Sequence, residues 1–170
     1  MKNEGIRVVG YVSSMEAGVD KSGVFYRFLI VTVTGAEYSV RMRIPPEWIA
    51  VGKPITGVLV KVSDSERDYQ IQDPSPYTGL PEAKPLGFER LSVEAGPGVK
   101  AILTGTSPDA MASAPVLSES ILKKARALSG RPCYLYLADS PYGRVVVALQ
   151  SAREYSIMQN MRRFLSGLGD

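Results

Sequence analysis

Over the first seventy-five residues, apolar and polar positions alternate in short runs, the two-residue period of β-strands. Ile6–Val12 places Ile, Val, Gly and Val on one face, and Gly10 within it suggests a bend or bulge. A turn-rich stretch, Ala17-Gly18-Val19-Asp20-Lys21-Ser22-Gly23, follows, and then Val24–Val33, a long run rich in β-branched and aromatic residues. Thr34-Gly35-Ala36 reads as a three-residue hairpin turn into the alternating run Glu37–Ile44. That loop sets Val33 opposite Glu37, Val31 opposite Ser39, Leu29 opposite Arg41 and Arg27 opposite Arg43. The other face then holds Tyr26, Phe28, Ile30 and Thr32 against Ile44, Met42, Val40 and Tyr38 and is the core side. A one-residue slip would mix the two faces, which burial forbids. Pro45-Pro46-Glu47-Trp48-Ile49 stops the strand in a short helix or turn, with Trp48 as a packed plug. The Val51-Gly52-Lys53-Pro54 turn leads into a strand over Ile55–Val62. Asp64-Ser65-Glu66-Arg67 turns again, Asp68–Gln72 is a short last strand, and Asp73-Pro74-Ser75-Pro76 ends the unit.

The pattern changes beyond residue 75. Pro74, Pro76, Pro81 and Pro85 with Gly79 and Gly87 read as a stiff linker over 76–87. Phe88–Glu94 and Val99–Thr104 flank Ala95-Gly96-Pro97-Gly98 as a hairpin. A loop follows, then a helix over Leu117–Ser129 with Leu117, Ile121, Ala125 and Leu128 on one face. Cys133–Ala138, a turn at Asp139-Ser140-Pro141-Tyr142-Gly143, and Arg144–Leu149 form a second hairpin. Ser151 with Glu154 is a capping box that opens a second helix, striped by Ile157, Met161, Phe164 and Leu168. The helices end Leu128-Ser129-Gly130 and Leu165-Ser166-Gly167. Residues 88–170 therefore read as two strand–strand–helix units, open to a duplication, that would share a four-stranded sheet with both helices on one side.

The expected fold class is an all-β, five-stranded OB-type barrel over residues 1–75 followed by a small α+β domain. Five strands with the turning element between the third and fourth is the OB layout. Arg7-Val8-Val9-Gly10-Tyr11-Val12, the long second strand with its hairpin, and the Val51-Gly52-Lys53-Pro54 turn resemble the OB-fold single-strand binders of the replication protein A type. The resemblance covers less than half of the chain and implies a sheet face that holds single-stranded nucleic acid.

Composition narrows the chemistry. The net charge is +3, with nine basic and nine acidic residues in 1–75 and eleven against eight in 76–170. A nucleic-acid partner would therefore need a local patch. The absence of histidine and the single cysteine, Cys133, exclude zinc sites and Ser/His or Cys/His triads in their usual forms. One cysteine, no signal-like start and no membrane-length apolar run suggest the cytoplasm. Two Asn, four Gln and twelve Pro lean towards a thermophile composition, while the ordinary charged fraction leans away.

The candidate surface is the outer face of the second and third strands, with Phe25, Arg27, Leu29, Arg41 and Arg43. Guanidiniums fork onto phosphates and stack on bases, and an aromatic gives a base a flat platform. Arg27 facing Arg43 repels across the sheet, which a bridging anion would relieve. Tyr11, Tyr69 and Gln70 would extend the track, and Lys123, Lys124, Arg162 and Arg163 on the helices could line phosphates. The same arginines also suit a solvated face, or one covered by the C-terminal half together with Phe25 and Leu29. The run Asp64–Asp68 lacks the glycine and distant glutamate of a calcium loop and reads as a solvated turn. Asp139 and Glu154 lack a carboxylate partner at recognisable spacing, so no enzyme, metal or cofactor is expected. The functional expectation is a protein that binds single-stranded nucleic acid, DNA more than RNA, with little sequence preference, in replication, repair or related work. The alternative is an accessory subunit that docks on a protein partner or on its own kind.

Overall fold

The computed structural model describes residues 5–61, 67–141 and 143–168, with side chains as far as Arg163. The expected turn at Asp64, Ser65 and Glu66, residue Tyr142, and the side chains of Phe164 and Leu168 lie outside the described residues. The chain is mostly β, with antiparallel sheets and two helices. Among the described residues no helix is long and apolar enough to cross a membrane.

Five strands make the first sheet: β1 (Ile6–Asp20), β2 (Gly23–Val31), β3 (Glu37–Met42), β4 (Pro54–Val60) and β5 (Gln70–Pro76), in the order β3-β2-β1-β4-β5. β1 is the spine. Ile6–Tyr11 pairs with β4 and Tyr11–Asp20 with β2, and the register shifts between Val12 and Ser14. The expected strand Ile6–Val12 is thus less than half of β1, and the bulge sits at Ser13, not Gly10. Gly10 serves a close approach instead, since a Cβ there would lie 2.8 Å from Ile30 Cγ2 and 2.9 Å from the Val31 carbonyl oxygen. The expected turn over Ala17–Gly23 shrinks to Lys21-Ser22. Gly18 stays in the strand because Phe25, opposite it, lays its ring where a side chain would go, 2.4 Å from a Cβ.

The two far edges of the sheet approach each other. Val40 and Tyr69 form a parallel bridge, with Arg41 N donating to Tyr69 O at 3.0 Å and Tyr69 N to Ser39 O at 2.8 Å. Phe28, Ile30 and Val40 of the hairpin face are fully buried with Val12, Ile55 and Leu59. The core side of the hairpin is therefore the expected one. Trp48 packs against this core, partly buried.

The hairpin register differs from expectation by one turn position. Its three-residue loop is Val33-Thr34-Gly35, closed by Thr32 N to Ala36 O at 2.9 Å and Gly35 N to Thr32 O at 3.0 Å. Gly35 takes φ +94°, the left-handed position such a loop requires. Arg27 therefore faces Arg41, and Val31 faces Glu37. The pairing moves by two residues, so both faces keep their composition.

The second half holds six strands among the described residues: β6 (Pro85–Phe88), β7 (Arg90–Gly96), β8 (Val99–Ser107), β9 (Ala110–Val116), β10 (Cys133–Ser140) and β11 (Gly143–Ser151). Helix α1 spans Glu119–Leu128 and α2 spans Ala152–Leu168. The two hairpins do not share a four-stranded sheet. β7-β8-β9 forms one three-stranded sheet and β11-β10-β6 another, with Leu91, Leu103, Val116, Ile121, Leu135 and Leu149 buried among them. β6 arises inside the stretch read as a linker, and β9 inside the stretch read as a loop. The capping box at α2 is present in both directions, Glu154 N to Ser151 Oγ and Ser151 N to Glu154 Oε1, each 3.0 Å. Helix α2 continues through Gly167, where a stop was expected.

The hairpin tip is pinned to α1. Glu37 accepts hydrogen bonds from Ser118 Oγ at 3.1 Å, Ser120 N at 3.0 Å and Ser120 Oγ at 3.1 Å, and Ser118 in turn caps Ile121 N. A carboxylate here satisfies free amides and suits the helix dipole. Glu37→Ala is expected to cost about 1–2 kcal/mol, seen as a lower denaturant midpoint with unchanged slope. An unchanged midpoint would mean the pin contributes nothing.

Candidate nucleic-acid interface

The outer face of β2 and β3 divides into two ends. Near the hairpin loop, Val31 is buried and Leu29 partly so, both against the core of the C-terminal half. That end is covered by protein. At the other end a groove of about 540 Å³ is lined by Phe25, Arg41, Met42, Arg43, Arg67, Asp68, Tyr69 and Gln70. Phe25, Arg41, Arg43, Tyr69 and Gln70 were expected on the track and meet here. Arg67 was missed because it sat in a turn with no assigned facing.

Carboxylates of the same chain already engage the arginines. Arg27 forks onto Asp68, with Nε 3.1 Å from Oδ1 and Nη2 2.8 Å from Oδ2, and lies 3.5 Å from Glu16. Ser39 Oγ donates to Asp68 Oδ1 at 2.7 Å. Arg43 donates to both oxygens of Asp20, at 2.9 and 2.8 Å, and Arg41 Nη2 also donates to Asp20 Oδ2. Arg27 does not face Arg43 as expected but Arg41, and no single anion bridges that pair: Asp68 holds Arg27, while Asp20 holds Arg41 and Arg43, two residues apart at the end of β3. Four guanidiniums, those of Arg27, Arg41, Arg43 and Arg67, stand against the three carboxylates of Glu16, Asp20 and Asp68.

The hydrogen bond from Arg43 leads in holding the Asp20 carboxyl down to about 2, and the hydrogen bond from Arg27 leads in lowering Asp68. A depressed carboxylate stabilises the fold above its unfolded pKa, and this contribution fades as pH falls towards the folded value. Asp20 is thus ionised at any pH above about 4, so mild acid does not release Arg41 and Arg43.

Phe25 is not an open platform. It is buried, with Gly18 against its ring and the Arg41 guanidinium 3.7 Å from its centroid. The flat exposed surface is the Arg41 guanidinium itself, supported from below by the aromatic ring. Tyr69 is half-buried, edge-on to Tyr38 at 5.7 Å, with Lys61 Nζ 4.8 Å from its ring. Gln70 is exposed at the lip. Tyr11 does not extend the track: it is fully buried between the two halves, where its hydroxyl donates to the Pro81 carbonyl at 2.8 Å. At this point of β1 the second half covers the outer face of the sheet: Tyr11 packs with Val51, Ala83, Tyr136 and Val147.

The helix cations stand apart from this groove. Lys124 pairs with Glu154 at 2.8 Å. Arg162 lies beside Trp48 and Lys53 in a second cleft. Lys123 and Arg163 are exposed and line neither cleft. Among the described residues no group of three or more His, Cys, Asp or Glu is placed to hold a metal ion. Burial pushes the Cys133 thiol up to about 11 and makes it a poor nucleophile. No protein-family model matches the chain, and no curated protein matches it.

Proposed function

We propose that residues 6–76 form an OB-type barrel and that the chain binds single-stranded nucleic acid along the Arg41–Tyr69 groove, DNA more than RNA, with little sequence preference. The strand order β3-β2-β1-β4-β5 and the parallel bridge between Val40 and Tyr69 support the barrel. The observation that carries the function is the convergence of Arg41, Arg43, Arg67, Tyr69 and Gln70 on one open groove. Guanidiniums and ring edges of this kind suit a phosphodiester chain with bases of any identity.

The carboxylates set the strength. A phosphate must displace Asp20 from Arg41 and Arg43 before it can use them. Binding is therefore modest and sheds few counterions, with a salt slope of roughly −1 to −2. The test is a fluorescence anisotropy titration of the full chain with labelled oligo-dT and a matching duplex at low and moderate salt. Saturable binding of the single strand that weakens with salt is expected, and no binding at low salt would overturn the reading. Asp20→Asn frees two guanidiniums and is expected to tighten binding by about three- to ten-fold. An unchanged or weaker affinity would separate Asp20 from the strand's path.

A further inference from the structure

Three layers lie on one another at the Arg41 end of the groove. The lowest is the backbone at Gly18, directly opposite Phe25 in the β1–β2 pairing. A Cβ at Gly18 would stand 2.4 Å from Phe25 Cζ and 2.9 Å from Cε1, so the ring can lie over this position only because it is glycine. An aromatic laid over a cross-strand glycine restores packing that the glycine lacks. The third layer is the Arg41 guanidinium, whose Cζ lies 3.7 Å from the ring centroid. Arg27 stands further off, at 5.5 Å, and forks onto Asp68.

The sides of the Arg41 guanidinium therefore differ. One face rests on Phe25, and Nη2 donates to Asp20. The face away from the ring is left. Arg41 lines the groove and its side chain is 37% exposed, so that face is what a ligand meets. A phosphate has to take the hydrogen-bonding edge from Asp20. A base needs only the face, and Asp20 can stay where it is. Guanidinium planes stack on bases as readily as they pair with anions. This plane is also held already, by Phe25 beneath it and Asp20 at its edge, so little rotamer freedom is lost when a base arrives.

Building on the proposed binding of single strands, we infer that Arg41 is the base-stacking platform of the groove, and that Phe25 and Gly18 are positioning residues that hold its guanidinium in place. An unpaired base lies on the open face of Arg41, and the flanking phosphates fall to other cations of the groove, Arg43 and Arg67 among them. Inside a duplex both faces of a base are covered by its neighbours, so this subsite selects single strands. Every base has a π-face, so it sets no sequence.

The probes are labelled oligo-dT and an abasic deoxyribose-phosphate strand of the same length, titrated into the full chain by fluorescence anisotropy. Wild type is expected to bind oligo-dT about ten-fold more tightly than the abasic strand. Arg41→Lys keeps the charge and loses the plane. It should weaken oligo-dT by about five- to ten-fold, with the salt slope and the affinity for the abasic strand unchanged. Arg43→Lys should affect the two strands alike. Phe25→Leu should repeat the pattern of Arg41→Lys, a dependence on bases that a general loosening of the fold would not produce. Arg41→Lys alters only the surface and decides alone if Phe25→Leu does not fold. An abasic strand bound as well as oligo-dT, or an Arg41→Lys variant that weakens both strands equally, would make Arg41 a phosphate contact and overturn the inference while leaving the groove in use. An Arg41→Lys variant within two-fold of wild type would overturn it too. Oligo-dT that fails to bind at low salt would end the nucleic-acid reading itself, and this inference with it.

Discussion

Arg41→Ala combined with Arg43→Ala is expected to weaken oligo-dT binding by about ten- to a hundred-fold, or roughly 1.4–2.8 kcal/mol. Two terms add. The strand loses two guanidiniums, and Asp20, which both of them hold, is left as an open carboxylate on the phosphate path. The four arginines and three carboxylates named above move from one cation in excess to one anion in excess, leaving Lys61 over Tyr69 to offset it. The second term is separable. Adding Asp20→Asn to the double variant removes the repulsion without restoring a donor, so it should recover part of the loss and no more. Lys123→Ala with Arg163→Ala, away from the groove, should change affinity less than two-fold. Anisotropy titrations at one low salt concentration, with circular dichroism as a check on folding, decide the matter. A double variant within two-fold of wild type would remove this groove from the binding surface.

What could be read from the chain beforehand was local, and what could not was the pairing of distant segments. The two faces of the β2–β3 hairpin were legible because alternation fixes which side chains share a face, whatever the exact turn. The turn itself was misplaced by one residue, since Val33-Thr34-Gly35 and Thr34-Gly35-Ala36 both contain the glycine that the left-handed position needs. Strand β1 beyond Val12 was hidden by Gly18, normally a turn signal, which is tolerated because Phe25 fills the space above it. Strand β6 was hidden in the same way: its Pro85 and Gly87 read as linker chemistry, yet the Tyr134 ring lies against Gly87 and the strand pairs with β10. Strand β9 has alanine at three of its seven positions and a proline, Pro115, both weak in strand preference. Its alternation was there to read, with Ala114 and Val116 inward and Met111 and Ser113 outward.

The candidate site was legible in its cations and not in their neutralisation. Arg41 and Arg43 are two apart on one strand, so their common face follows from sequence. Asp20 reaches them across β2 from the far end of β1, and Asp68 reaches Arg27 from the segment before β5. The second depends on how the edges of the sheet come round, and the first on β1 running on to Asp20 beside β2, where a turn was expected. Tyr11 failed for a related reason: alternation names its face but not the second layer, and here the second half covers that face at Tyr11.

Gly52→Ala is expected to destabilise the protein by about 2–4 kcal/mol. Gly52 occupies the third position of the turn Ala50–Lys53, closed by Lys53 N to Ala50 O at 3.0 Å, with φ +90°. A side chain in that conformation costs about 1 kcal/mol by itself. The larger part is steric. A Cβ would stand 2.3 Å from the Ala83 carbonyl oxygen and 2.9 Å from Tyr136 Cδ2. The first of these is backbone and cannot rotate away. It belongs to a tight stitch: Gly52 N donates to Val12 O at 2.8 Å, and Ala83 N donates to Gly52 O at 2.9 Å. Relieving the clash therefore means breaking a join between β1, the segment before β6 and the buried cluster around Tyr136 and Val147. Gly98→Ala is the matched control. It also has positive φ, +73°, but nothing lies within 4 Å of its Cβ, so it should cost only the backbone share. Equal losses for the two variants in denaturant titrations would show that the halves are not joined through this turn.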